Sequence, residues 1–219
     1  MVKQTQLFEL QSEAETQKFT FYSSLEKLNQ ACSSCDRCSL SQKRHQVVIG
    51  RGETQPDIAI IGEAPGKQED KLGQPFVGDS GKFLMKMLEA VKLDSNVYFT
   101  NTVRCRPSNN RKPSAEEIKA CKPYLIDELR LVKPKIIICA GAIAVAGFTG
   151  KKENITSLRG KWLDWEGIPV MPLFHPAYLL RNPSLQKDRP KWLTWHDLMK
   201  VKLKLQRISE TNLVDSGQT

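Results

Sequence analysis

Residues 57–81, DIAIIGEAPGKQEDKLGQPFVGDSG, constrain the fold of this chain more than any other stretch. Residues 58–61 form a short apolar run of the kind that makes a strand buried on both faces. It runs directly into Gly62, Glu63, Ala64, Pro65 and Gly66, too rich in glycine and proline to continue as strand or helix. Charged residues follow, and then Pro75, Phe76, Val77 and Gly78 set an aromatic ring beside a turn. A helix is predicted to open near Asp79 or Ser80, with Phe83, Leu84, Met87, Leu88 and Val91 on one face. A buried strand that ends in a tight loop is where α/β proteins hold their ligands.

Three more apolar segments suit parallel strands: residues 97–101, 136–140 and 170–174. Residues 114–132 read as a helix with a capping box, Ser114 followed by Glu117, and with Ile118, Cys121, Leu125 and Leu129 at helical spacing. Residues 141–148 read as a small alanine-rich helix, and 161–165 with 168–174 as a hairpin about Glu166 and Gly167. This β-α-β-α order predicts an α/β fold with right-handed crossovers: a three-layer α/β/α sandwich on a central four-stranded parallel twisted sheet. An N-terminal cysteine-bearing segment precedes it, with a helix over 19–31, and a basic amphipathic helix over 191–207 follows. The expected organisation is a flexible tail at 1–16, one domain over 17–207 and a disordered tail at 208–219. Residues 50–52 are expected to turn ahead of the first core strand.

The 219 residues carry a net charge of +9 and a pI near 9.3, a balance that favours a polyanionic partner, most commonly nucleic acid. No apolar run reaches the roughly 20 residues of a membrane helix. The opening MVKQTQLFELQSEAE lacks the apolar core of a signal peptide, so a cytoplasmic location is expected. In that compartment the six cysteines are thiols or metal ligands rather than disulfides.

All four strands would end on one edge, and the segments leaving it read GEAPG, NTVRCRP, AGAIA and HPAYLLRNP. The first is no phosphate loop, because its glycines are too close and Gln68 stands where Ser or Thr is required. Gly141 and Gly147 make no dinucleotide fingerprint, so no nucleotide cofactor is expected. A lone histidine is usually structural, but His175 shares its edge with residues 62–66, and that reverses the order of the two readings. Asn101 could merely cap a turn. Phe76 divides evenly between core and site. Cys35 and Cys38 have metal-ligand spacing, and Cys105 and Cys121 could complete a set of four for zinc or an iron–sulfur cluster. The run Cys32, Cys35, Cys38 suggests a ferredoxin, but Gln42 occupies the place of the fourth cysteine. Cys139 sits in an apolar run and belongs to the core.

Together these residues resemble the family 4 uracil-DNA glycosylases, the iron–sulfur branch of the uracil-DNA glycosylase superfamily. The resemblance covers residues 35–201. It rests on Gly62–Gly66 with Glu69 and Asp70, on Gly73–Gly78, on Thr100 and Asn101 with Cys105 to Pro107, and on Phe174–Pro183. It implies a [4Fe–4S] cluster on Cys35, Cys38, Cys105 and Cys121, with Cys32 outside the set. It implies a uracil pocket of Gly62, Glu63 and Ala64, with Phe76 stacking on the base and Asn101 reading its amide edge. His175 would stand by the carbonyl oxygen that gains charge, making His175, Glu63 and Asn101 the catalytic set. Leu179, Leu180 and Arg181 would wedge into the DNA and hold a phosphate; for Leu179 packing on the core is the competing reading. Ala64 stands where other branches place an aspartate, so either Glu63, Glu69 or Asp70 activates the water, or the water needs no strong base. The basic loop 109–113 lacks the histidine with which a related branch bonds covalently to the sugar, which favours hydrolysis.

The expected function is therefore a monofunctional DNA-repair hydrolase that removes uracil from DNA and leaves an abasic site, acting as a monomer. The rivals are a non-catalytic metal or iron–sulfur protein that binds uracil-DNA, and an electron carrier.

Overall fold

The computed structural model describes residues 22–216, with side chains through residue 211. The tail expected at 1–16, and the start of the helix expected at 19–31, lie outside them. Among the described residues six strands form one sheet in the order β1-β3-β2-β4-β6-β5: β1 Arg51–Gly52, β2 Ile58–Gly62, β3 Val97–Asn101, β4 Ile136–Ala140, β5 Leu163–Trp165 and β6 Ile168–Leu173. The four central strands are parallel, as expected. Two short antiparallel edge strands extend them. β5 is the first arm of the expected hairpin, whereas β1 replaces the turn expected at residues 50–52. Gly52, at φ +125°, lies so close to the Val97 carbonyl that a Cβ has no room.

Among the described residues eight α-helices surround the sheet: α1 Leu25–Ser33, α2 Lys67–Leu72, α3 Asp79–Val91, α4 Ala115–Val132, α5 Ala142–Thr149, α6 Ile155–Leu158, α7 Pro176–Arg181 and α8 Pro190–Ser216. The capping box opens α4 as the spacing predicts, with Ser114 Oγ accepting from the Glu117 N–H and the Glu117 carboxylate accepting from the Ser114 N–H. α8 outlasts the expected end at residue 207, because Leu205 and Ile208 still pack on the core. Among the described residues no helix is long and apolar enough to cross a membrane.

Alternation along the strands divides the core in two. Ile58, Ile60, Val97, Phe99, Ile136 and Ile138 meet Leu84 and Leu88 of α3 and Leu198 and Val201 of α8 on one face. Ala59, Ile61, Tyr98, Ile137 and Cys139 meet Leu125 and Leu129 of α4 and Val145 and Phe148 of α5 on the other. Parallel strands covered on both faces need apolar side chains at nearly every position, which is why these segments read as unbroken apolar runs.

Candidate active site and cysteine cavity

The C-terminal ends of β2, β3, β4 and β6 deliver residues 62–66, Asn101, Gly141 and His175 to one edge. An open cleft there is lined by Gly62, Glu63, Ala64, Phe76, Asn101 and His175 together. These six residues, all singled out in the sequence, are brought to one cleft, and the packing shows how each is held.

Gly62 pairs in register with Asn101. A Cβ on Gly62 would collide with the Asn101 Oδ1 and lie 2.8 Å from the Phe76 ring, so the carboxamide and the ring converge over a bare backbone. Asn101 is only 4 % exposed, yet its carboxamide makes no hydrogen bond to any described residue. Buried polar groups are normally paired, and this amide is instead left available to whatever enters the cleft. Phe76 holds a left-handed backbone, φ +56°, which a bulky residue adopts only when its surroundings impose it. The Glu69 carboxylate accepts from the Val77 and Gly78 N–H groups at 3.0 and 2.7 Å, and Arg51 Nε donates to the Pro75 carbonyl at 2.9 Å. Phe99 supports the ring, with centroids 5.4 Å apart. Gly81 lies against the Phe76 backbone without space for a methyl group.

These contacts separate the three acidic candidates. Glu69 is engaged by backbone donors, and Asp70 is buried and accepts from the His45 N–H at 2.9 Å. Of the three, only Glu63 keeps a carboxylate on the cleft with no hydrogen bond from a described residue. Burial raises its pKa, and Lys112 opposes the shift. Its backbone is fixed, since Thr102 Oγ1 donates to the Glu63 carbonyl and the Thr102 N–H to the Gly62 carbonyl.

His175 caps the N-terminus of α7, its Nδ1 accepting from the Ala177 N–H at 3.1 Å. With Nδ1 occupied as an acceptor, the neutral ring carries its proton on Nε2. Burial, and then the charge of Arg181, lower its pKa and so favour the neutral ring. The ring lies on Gly141, φ +99°, where a Cβ would come 3.1 Å from the ring and 3.0 Å from the His175 Cβ. This contact comes from the third loop, AGAIA, which shows no reactive residue in the sequence; its one signal is a glycine directly after a strand.

The three DNA-facing candidates separate. Leu179 is buried in α7 and packs inside the domain, so the competing core reading holds for it. Leu180, 41 % exposed, and Arg181 remain at the surface. Arg181, Lys112, Arg111 and Asn110 also line the cleft, and the last three were noted in the sequence only for the histidine their loop lacks.

Behind this site Cys35, Cys38, Cys105 and Cys121 line one cavity with Cys32, Arg44 and Arg104. None of the cysteines is in a disulfide, and Cys139 lies in the core. Arg44 donates to the Cys105 sulfur at 3.3 Å and to the Cys35 carbonyl at 2.6 Å. Burial raises Cys105 against the pull of Arg44, and raises Cys121 to about 12. Arg104 is buried, pairs with Glu128 at 2.5 Å and leaves its Nε without a partner. Soft sulfur donors facing one cavity, with cations to offset thiolate charge, are the chemistry an iron–sulfur group requires. Among the described residues no three His, Cys, Asp or Glu side chains converge as a single metal ion demands. Cys32, expected outside the set, nevertheless faces the same cavity.

Comparison with known proteins agrees with this geometry. Residues 49–199 match the model of the uracil DNA glycosylase superfamily. The chain is 40 % identical over 181 residues to the type-4 uracil-DNA glycosylase of Thermotoga maritima, covering 81 % of this chain and 93 % of the relative. It is 42 % identical to that of Sulfurisphaera tokodaii over 174 residues, 75 % of this chain and 79 % of the relative. A type-5 uracil-DNA glycosylase of Thermus thermophilus is 35 % identical over 114 residues, 45 % of this chain and 52 % of the relative.

Proposed function

The chain belongs to the uracil-DNA glycosylase superfamily, in its type-4 branch, and from this premise we propose that it hydrolyses the N-glycosidic bond of uracil in DNA. The products are free uracil and an abasic site, the opening step of base excision repair. The observation that carries this reading is the buried, unpartnered Asn101 carboxamide facing Gly62 beside the Phe76 ring.

The target nucleotide must leave the base stack, at a cost of a few kcal/mol. Phe76 offers its face to the flipped base. Asn101 supplies one donor and one acceptor, which match uracil O4 and N3–H and mismatch cytosine. As the bond stretches, the sugar becomes cation-like and the uracil anionic. The proton on His175 Nε2 is a preorganised donor for the charge developing on the base carbonyl, a contribution of about 2.7–4 kcal/mol in comparable oxyanion sites. Neutral histidine suits this task because it donates without first surrendering a proton. Glu63, the one acidic candidate not held by the protein, orients the water that attacks the sugar. Leu180 and Arg181 occupy the gap in the duplex and the adjacent phosphate.

We assign a [4Fe–4S] cluster to Cys35, Cys38, Cys105 and Cys121. When bound it ties the N-terminal segment to the loop after β3 and to α4, and hydrolysis draws no electron from it. Arg44 holds Cys105 and Cys35 in common, which orders the cavity from the protein's side.

The test uses the purified protein and an end-labelled oligonucleotide containing one uracil, followed by alkali to cut abasic sites. Cleavage at uracil and not at thymine is expected. Uracil-specific binding without an abasic product would replace this reading with that of a non-catalytic binder.

A further inference from the structure

We propose that this chain has a second anion site, which holds a phosphodiester of the DNA strand whose uracil enters the cleft. It is the cavity between the cysteine-bearing segment and the loop after β3, lined by Gln42, Lys43, Arg106, Ser108 and Arg111. The identity of the strand rests on the glycosylase reading above. The site itself rests on charge and geometry.

Three cations and no carboxylate line this cavity. Arg106 is half-buried, and its Nε donates to Asn110 Oδ1 at 2.7 Å, which fixes the plane of the guanidinium. Its two terminal amino groups have no partner among the described residues. Asn109 and Asn110 hold left-handed conformations, φ +56° and +54°, so the loop is kept in an uncommon shape that presents this side chain. Lys43 also has no acidic partner among the described residues. Arg111 differs, because Glu117 neutralises it at 2.6 Å, and Glu117 is itself anchored by the Ser114 N–H and Ser39 Oγ. Two uncompensated cations therefore share one concavity. A planar guanidinium with two free amino groups matches the spacing of phosphate oxygens, and an ammonium beside it adds a point charge.

The position of the cavity selects its occupant. Arg111 lines both this cavity and the cleft of Asn101 and His175, so a strand leaving the cleft meets the second site next. Lys43 adjoins Arg44, which bonds to Cys35 and Cys105, and Arg106 directly follows Cys105. The cysteine-bearing segment thus delivers Lys43, and the loop after β3 delivers Arg106, to the path of the strand.

The experiment measures binding of the full chain and of a Lys43→Gln, Arg106→Gln variant to a single-stranded, uracil-free oligonucleotide across a range of salt. Each phosphate contact on single strands contributes a slope of about 0.7, so the variant's slope should fall by about 1.4 and its affinity by roughly tenfold at low salt. An unchanged slope overturns the proposal. A second arm uses a non-cleavable uracil strand in which phosphates are ethylated one at a time. One ethylation outside the uracil's own phosphates should weaken the wild type and leave the variant unaffected. Equal sensitivity of both proteins at every position overturns the site. Inorganic phosphate is tested alone by phosphorus NMR, and binding of it that Lys43→Gln and Arg106→Gln abolish while DNA binding is unchanged also overturns the DNA assignment. Lys43 is exposed, so Lys43→Gln alone carries half the slope change should the double variant fail to fold. Absence of alkali-labile cleavage would remove the glycosylase reading but leave the uracil-free slope unaffected, so the two failures are distinguishable.

Discussion

At the scale of single residues the site depends on a proton held in one place. His175 Nδ1 is committed to the Ala177 N–H, and the ring stays neutral because burial and Arg181 lower its pKa below the ordinary 6.5. His175→Ala should lower the single-turnover excision rate by about 10²–10³, the magnitude of losing one oxyanion donor, with little change in DNA affinity. The sign of the pH effect follows from the direction of the shift. Protonation abolishes the Nδ1 acceptor only below the usual histidine range, so the acid limb of the rate profile lies under pH 6.5. Arg181→Gln removes one lowering influence and should move that limb, and the NMR titration of His175, upward toward 6.5. Only three histidines need be assigned. The same shift sets a stability window: as pH falls from 6.5, the unfolded chain takes up its proton first and stability declines until the folded pKa is passed. His175 was legible in the sequence because it follows a strand at the same edge as residues 62–66. Its support by Gly141 was not, since a glycine's value lies in what it lets approach.

Elements rather than single side chains position the aromatic platform. The short helix α2 places Glu69 so that its carboxylate clamps the turn into α3, and this clamp holds Phe76 at positive φ. Such a conformation costs on the order of 1–3 kcal/mol, which the surrounding contacts must supply. Glu69→Ala should free the turn and lower kcat/KM on uracil-DNA about tenfold or more, while a thermal melt shows a smaller change than a core truncation would produce. A wild-type kcat/KM would show that Phe76 is held without Glu69. In the sequence Glu69 and Asp70 are equivalent neighbours in a charged stretch, and only the folded turn shows that both are occupied structurally. Leu179 and Leu180 divide for a related reason. The turn of α7 sends one inward and the next outward, and a helix of six residues is too short for its period to show in the sequence.

Across the whole molecule, the strands and crossovers were legible because parallel strands buried on two faces leave unbroken apolar runs. The edge strand β5 was legible as the first arm of the hairpin about Glu166 and Gly167, whereas β1 was not, since it is two residues long and only partly buried. A buried polar network joins the two functional regions. Arg104 pairs with Glu128 and donates to Thr100 Oγ1 at 2.7 Å, and Tyr98 donates to Glu128 at 2.9 Å, so β3, α4 and the cysteine cavity share one set of bonds. Removing one member strands a buried charge, and Glu128→Ala should cost about 3–5 kcal/mol in denaturant unfolding. A loss under 1 kcal/mol would mean that Arg104 finds water or another partner.

The core on one sheet face is completed by Leu198 and Val201 of α8, which pack with Ile58, Leu84 and Leu88 from the first half of the chain. That arrangement bears on how the protein is made. During synthesis the early strands leave the ribosome with one apolar face uncovered, and they stay so until α8 has emerged behind them. Parallel strands paired across long crossovers are slow to assemble in any case. Ribosome-bound chains stopped before Pro190 should therefore be cut quickly by protease and occupied by chaperones, and chains released at full length should become resistant in a single late step.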